Sequence, residues 1–419
     1  MHPRRVAFLF LLAGSIGALS GIASGLFLEL LRIATETREN HPWLIFLLPV
    51  AGAAIAWVYQ GYGQSAAGGN NLILDQIHAP QGAGVPLRMF PLILASTVAT
   101  HLFGGSAGRE GTAVQMGGSI AGEIGRRLKL SQPDIRLALM CGISGGFSSV
   151  FGTPLAGTVF GMEMLAIGGF RYDALLPCLI AALIGNEAVH LLGVAHTDYH
   201  VATVIPALEP SVVLKVAVAA VAFGLASAVF SEMTAEIEHI SKRYLRNPVV
   251  RTASGGVIVV FITLALGTQM YNGLSLPMLR DAFTGDVPTW AFLIKLVLTA
   301  ITLGFGFKGG EVTPLFVIGA CLGATLAGPL GMSPELLAAL GFVAVFAAAA
   351  NTPIACVLMG AELFGGNGII YIGIAVFIAY TISGHRGIYH AQRIVSPKFA
   401  QSRPDGSDNV TLRDLRRRQ

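Results

Sequence analysis

Two glycine-flanked acidic segments carry the chemistry of this chain. Gly108-Arg109-Glu110-Gly111-Thr112 recurs 201 residues later as Gly309-Gly310-Glu311-Val312-Thr313, with Gly108, Glu110 and Thr112 matched by Gly309, Glu311 and Thr313. The match continues at Gly118/Gly319 and Gly122/Gly323. Both copies lie in apolar sequence, where a carboxylate is expensive and marks a functional site by default. Its duplication in two related halves points to a site shared between them. Glycines at a helix start let backbone N–H groups approach a ligand, and the helix dipole favours negative charge there. Such a nest holds an anion or the carboxylate of Glu110 itself. A carboxylate that mimics the anion when ionised and leaves when protonated couples the two ions. The plainer reading is a helix-packing glycine motif with Glu110 paired to Arg109. No Gly-Lys-Ser/Thr follows, so the segment is not a phosphate-binding loop.

The rest of the chain decides what must position these acids. Of 419 residues 53% are hydrophobic and only 12% charged, and the mean hydropathy is +0.68. Between Val312 and Gly384 the only charged side chains are Glu335 and Glu362. These are the properties of an integral membrane protein. Long Ala/Leu/Ile/Val/Gly runs without strand alternation favour helices over a barrel. The 52 glycines and 20 prolines suit close helix packing and interrupted helices. The net charge of +4 does not suggest nucleic acid. Cys141, Cys178, Cys321 and Cys356 lie in apolar segments without C-x-x-C spacing and read as inert thiols.

Apolar stretches fall at 6–31, 43–59, 89–103, 111–125, 135–150, 153–169, 174–194, 211–230, 249–269, 289–306, 312–330, 335–349, 352–363 and 368–383. Several are too short for a straight span and fit half-helices or strongly tilted segments. The first has no convincing cleavage signal and reads as a membrane helix. Arg4 and Arg5 at one end, with Arg413, Arg416, Arg417 and Arg418 at the other, predict that both termini are cytoplasmic. The expected organisation is a first membrane repeat over 1–208, a second over 209–395, and a polar, disordered cytoplasmic tail over 396–419.

A second duplicated block supports this division. Phe147 to Glu163 corresponds to Phe346 to Glu362 at an offset of 199, with Phe, Thr-Pro, Ala, Gly and Glu recurring. Thr153-Pro154 and Thr352-Pro353 each open a helical part, where proline's missing N–H costs nothing. Glu163 and Glu362 read as structural, with proton access through Glu163 the alternative. His196 and His200 flank Asp198 in a polar loop; no metal site is expected there.

With these motifs the sequence resembles the CLC family of chloride channels and transporters, over nearly the whole membrane region. Gly108–Thr112 followed by Gly117-Gly118-Ser119-Ile120 is similar to the gating-glutamate segment. Gly152-Thr-Pro-Leu-Ala-Gly157 and Lys308-Gly-Gly-Glu-Val-Thr-Pro314 are similar to other landmarks. The resemblance implies an all-α polytopic CLC-type fold of two inverted repeats with broken and tilted helices, and a homodimer. It implies that Glu110 is the extracellular gate and that Tyr389, in Gly387-Ile-Tyr-His-Ala391, lines the pore.

The departures from the family pattern narrow the substrate. Gly69-Asn70-Asn71-Leu72-Ile73 replaces the usual Gly-Ser-Gly-Ile-Pro, and Gly310-Glu311-Val312 replaces Gly-Ile-Phe. Met164 stands where antiporters of the family carry an internal glutamate, although a one-residue slip would bring Glu163 there. Together these are the pattern of the fluoride/proton antiporter branch. Fluoride demands good donors, and the Asn70 amide offers two where serine offers one; helix capping or a turn is the local alternative for Asn70 and Asn71. An ionised Glu311 beside an anion would repel it. Glu311 therefore either carries a proton, which it can donate to fluoride and pass on, or is satisfied by neighbouring donors, or caps its own helix.

The expected gating and proton-coupling residues are Glu110 and Glu311. The expected anion-binding residues are Asn70, Gly108, Arg109, Gly111, Val312, Thr313 and Tyr389, with Val312 and Thr313 shaping the inner pore. The expected partners are fluoride, protons and the lipid of a bacterial inner (plasma) membrane, with no cofactor. The rival reading is a chloride/proton antiporter or chloride channel on the same scaffold. A membrane enzyme is disfavoured, since H-E-x-x-H is missing and no Ser/His or paired-Asp signature lies within the spans.

Overall fold

The computed structural model describes residues 3–79, 84–196, 205–399 and 410–418. Two blocks of eight helices follow one another. The first holds α1 (Pro3–Asn40), α2 (Leu48–Gly61), α3 (Gly69–His78), α4 (Met89–Leu102), α5 (Glu110–Arg127), α6 (Gln132–Phe151), α7 (Pro154–Glu163) and α8 (Leu175–Leu191). The second holds α9 (Pro210–Tyr244), α10 (Pro248–Leu266), α11 (Leu276–Thr284), α12 (Ala291–Gly304), α13 (Val312–Leu330), α14 (Pro334–Ala350), α15 (Pro353–Phe364) and α16 (Ile369–Ile382). A short α17 (Leu412–Arg418) ends the described chain. Among the described residues, six helical stretches are long and apolar enough to cross a membrane.

Local sequence sets the breaks. α6 ends on Gly152 (φ 73°) and α14 on Asn351 (φ 56°), both left-handed. Glycine enters that region freely, and asparagine is among the few other residues that tolerate it. Thr153 and Thr352 follow at φ −124° and −127°, held out of the helical region by the next proline. Pro154 and Pro353 then start the half-helices α7 and α15.

Glycine also brings α5 onto α6 and α13 onto α14. A methyl group on Gly117 would come 2.1 Å from the Gly142 carbonyl oxygen, and one on Gly319 would come 2.0 Å from that of Gly341. Among the glycines matched in sequence, Gly118 instead faces the Ile73 side chain.

α7 runs back along α6, with Gly157 against Ser148 and Gly161 against Met140. The strand that follows, β1 (Ala166–Ile167), therefore emerges where α6 starts, the end held by Arg5 through its ion pair with Asp134. There β1 pairs in parallel with β2 (Arg393–Ile394). Both ends of the described chain thus lie on one face, and α1 carries the chain from Arg5 to Arg38, ~50 Å at ~1.5 Å per residue, to the other.

Three expectations need correction. The stretch 6–31 is part of a helix reaching Asn40, and 211–230 part of one reaching Tyr244. The apolar stretch 153–169 is helical only as far as Glu163. The segment expected to be a disordered tail is ordered over its described part: Leu412 is 3% exposed, packed with Ile167 and Ile394, and Arg413 lies 3.6 Å from Asp75. His200 and Asp198 lie outside the described residues. His196 binds the Ser149 carbonyl oxygen through Nε2 at 2.9 Å.

Candidate functional site

The two glycine segments meet at the centre of the molecule. Gly108 N–H donates to the Gly310 carbonyl at 2.6 Å, and Gly310 N–H returns a bond to Gly108 at 2.8 Å. This antiparallel bridge needs bare backbone: a methyl group on Gly310 would come 2.9 Å from Gly111 N, and one on Gly108 would come 3.0 Å from Gly310 O. α5 and α13 both begin at the bridge. α5 leads to the face bearing the chain ends, whereas α13 ends beside Lys215 at the start of α9, on the other face.

Glu110 is 1% exposed and its carboxylate is bound by the opposite half. Thr313 N–H, in the first turn of α13, donates to Oε2 at 2.9 Å. Thr313 Oγ1 donates to Oε1 at 2.7 Å and to Oε2 at 2.6 Å. Arg109 adds longer bonds of 3.3 Å from Nε and from its backbone N–H. The nest foreseen around Glu110 is therefore supplied by α13 rather than by its own helix. Thr112, the counterpart of Thr313, turns away and shares a 2.9 Å hydrogen bond with Thr97.

Glu311 has a different setting. It stands at the N-cap of α13 without a side-chain capping bond, so the capping role is not what the structure shows. A methyl group on Gly111 would meet Asn70 Nδ2 at 3.2 Å and Glu311 Oε2 at 3.6 Å. Asn70 and Glu311 thus converge on one bare stretch of α5. Asn70 is 9% exposed, and its Oδ1 has no hydrogen-bond partner among the described residues.

A cavity of about 570 Å³ opens from the face bearing the chain ends and is lined by Asn70, Glu311, Tyr389, Gln115 and Lys308. Tyr389 is 2% exposed and stands edge-on to Phe160 at 6.4 Å between ring centroids. A second cavity, of about 850 Å³, opens on the other face and reaches Arg109. Glu110 lines neither cavity and stands between them. Of the nine residues foreseen, Asn70, Glu311, Tyr389 and Arg109 line a cavity, whereas Val312 is 1% exposed and packed in the apolar core.

Sequence reasoning missed several residues of the first cavity. Gln115 follows Glu110 on α5 by about a turn and a half, a spacing that could have been noticed. Lys308 sits over the Tyr59 ring at 4.5 Å. Asn71 Oδ1 accepts from Ala391 N–H at 2.8 Å and ties α3 to the segment that carries Tyr389.

Glu163 and Glu362 are both satisfied. Glu163 accepts from Ile354 and Ala355 N–H at 3.0 and 2.8 Å, at the start of α15. Glu362 accepts from Leu155 and Ala156 N–H at 2.9 and 2.8 Å, at the start of α7.

Comparison with known proteins agrees with this geometry. A chloride/fluoride channel protein of Pseudomonas syringae pv. tomato is 46% identical over 97% of this chain and 90% of its own length. An H+/Cl− exchange transporter, ClcA, of Vibrio vulnificus is 25% identical over 92% of this chain and 88% of its own. A solved structure described as a CLC-type fluoride/proton antiporter superposes with a TM-score of 0.91 at 36% identity, over 94% of this chain and all of that one. That of a slow cyanobacterial Cl−/H+ antiporter matches in fold, with a TM-score of 0.77 at 18% identity over 91% of this chain and 95% of that one. The voltage gated chloride channel family pattern covers residues 51–384. The chain is a multi-pass membrane protein and belongs to the voltage gated chloride channel, or CLC, family.

Proposed function

We propose that the protein is a proton-coupled antiporter that exports fluoride from the cytoplasm in exchange for protons and so confers fluoride resistance. The carrying observation is the grip of the α13 start on the Glu110 carboxylate, with Asn70 and Glu311 together on the cavity beneath it. The likeness to proteins described as a chloride/fluoride channel protein and a fluoride/proton antiporter supports the same reading.

Thr313 N–H and O–H offer donors to one negatively charged group at a time. While Glu110 is ionised it occupies them and closes the path between the cavities. A proton on Glu110 removes the charge that those donors favour, so the side chain leaves and an anion takes its place. Arg109 marks the route outward. On the inner side Asn70 and Tyr389 supply N–H and O–H donors to a dehydrated fluoride. Glu311, when protonated, donates to the anion and passes its proton on. Gly108 and Gly111 keep the backbone bare for this approach.

The membrane is the bacterial inner membrane, with the face bearing the chain ends cytoplasmic. The first repeat runs over 1–208, the second over 209–395, and the assembly is a homodimer, as the family resemblance implies. One-for-one exchange moves two charges per cycle in the direction favoured by an inside-negative membrane. That is ~4.6 kcal/mol at ~100 mV, enough for a fluoride gradient above ~10³-fold.

Fluoride and proton fluxes measured together in reconstituted liposomes test this reading. Fluoride efflux should drive proton uptake in a fixed ratio while chloride stays behind. Chloride leaving as readily as fluoride would favour the chloride antiporter or channel instead.

A further inference from the structure

The outer cavity contains positive charge that the gate does not use. Arg38, near the end of α1, is only 5% exposed, and its Nε and Nη1 have no hydrogen-bond partner among the described residues. The carboxylate of Glu39 lies 3.7 Å from Nη2, beyond bonding distance, on a side chain that is 55% exposed. Lys295, on α12, is fully buried and donates to the carbonyls of Tyr271 and Gly273 at 3.1 and 2.7 Å and to Ser275 Oγ at 3.0 Å. These acceptors are all neutral. Arg38 presses on the same glycine, since a methyl group on Gly273 would come 2.5 Å from Nη1. The Arg38 guanidinium and the Lys295 amine thus converge on Gly273, with no buried carboxylate hydrogen-bonded to either.

A buried guanidinium whose N–H groups lack acceptors is costly, and an arrangement of this kind persists when something of opposite sign occupies it. Arg38 lines the cavity together with Asn272, Ser275 and Arg109. The acids of the same cavity stand at its mouth. Glu29 and Glu36 are both bonded to Arg32, and Asp281 is exposed. The floor is therefore cationic, and the acids, Glu39 among them, are gathered at the rim.

We propose that the outer cavity holds a small monovalent anion at Arg38, a binding position separate from the donors that grip Glu110. A guanidinium presents N–H groups in a fixed fork and takes halides as well as oxyanions. The cavity is open, so this position admits the halides as a class and leaves selection to the residues deeper in. Its part in transport rests on the exporter reading: fluoride passing Glu110 meets Arg109, pauses at Arg38 and then leaves. The same position captures external fluoride and so slows export when fluoride outside is high.

Two measurements test the proposal. Crystals of the wild-type protein soaked in bromide should show anomalous density within bonding distance of Arg38 Nε or Nη1; its absence there overturns the site. In liposomes, Arg38→Gln should raise by about tenfold the external fluoride that halves efflux, one decade corresponding to ~1.4 kcal/mol, the scale of one charge-assisted bond. The fluoride-to-proton ratio should not change. Unaltered inhibition by external fluoride overturns the transport role. If the glutamine variant does not fold, the bromide experiment on the wild type decides. If neither protein moves fluoride, the exporter reading falls while bromide density at Arg38 still upholds the site.

Discussion

Two pairs of duplicated glutamates sit at related places in the fold, and they have opposite fates. Glu163 and Glu362 are treated alike: each stands in the last turn of its half-helix and accepts two backbone N–H bonds from the start of the other half-helix, at 2.8–3.0 Å. The donors correspond one for one, Leu155 with Ile354 and Ala156 with Ala355. Glu110 and Glu311 are treated unequally. Glu110 takes the N–H and hydroxyl of Thr313, while Thr112 is bonded to Thr97 and Glu311 faces the inner cavity. A helix start is the same donor in both cases. Reciprocal exchange locks two halves together, whereas an exchange made on one side only is what the proposed gate requires of Glu110.

The comparison breaks most sharply at Glu110. Glu110→Gln removes the charge held by Thr313 and the proton it would carry, and proton-coupled fluoride exchange should fall by about a hundredfold or more, the lower range for loss of a proton-transferring group. Unchanged coupled flux in liposomes would remove the gating role. Glu311→Gln should have the next largest effect. Fluoride still meets an N–H donor there, but the proton route is cut, so protons moved per fluoride should drop towards zero. A normal ratio would return Glu311 to a purely structural place.

Thr313 sharpens the contrast by a smaller step. Thr313→Val keeps the N–H bond to Glu110 and loses the hydroxyl bonds of 2.7 and 2.6 Å. A charge-assisted bond of this kind is worth ~1.5–3 kcal/mol, so the fluoride concentration for half-maximal exchange should rise by roughly tenfold. Thr313→Ser should behave like the wild type. The matching change Thr112→Val should leave fluoride affinity alone, because Thr112 is engaged with Thr97.

Much of this site was legible because residue type and spacing report backbone demands directly. Glycine beside a buried acid, and proline after threonine, mark helix starts that only certain residues permit, and the repeat displays both twice. The unequal use of Thr112 and Thr313 was not legible, since it depends on α4 bringing Thr97 to one threonine and α5 bringing Glu110 to the other. α3, α11 and α17 were missed because each is short and partly polar, so no apolar run announces them; α3 nevertheless places Asn70. The far end of α1 was missed for a related reason. Beyond Leu31 the helix is held by Arg32, whose bonds of 2.5 Å to Glu29 and 2.6 Å to Glu36 are helical pairs rather than apolar contacts.

The smallest expected effect on transport belongs to the symmetric pair, and it tests the comparison from its other side. Glu163→Gln and Glu362→Gln each keep one neutral bond to the helix start and turn the amide NH2 against the other backbone N–H. Each should cost ~1–3 kcal/mol, seen as a fall of a few degrees in the thermal unfolding of the purified protein. The two falls should be nearly equal, because the donors, the distances and the proline-led helix starts correspond. Glu163 is 6% exposed and the Glu362 contacts are closer to the surface, so any inequality should make Glu163 the costlier loss. Fluoride flux per folded protein, and its ratio to protons, should stay at the wild-type level in both. A changed ratio in Glu163→Gln alone would mean that this pair too is used unequally, with Glu163 in the proton path beside the residue at Met164.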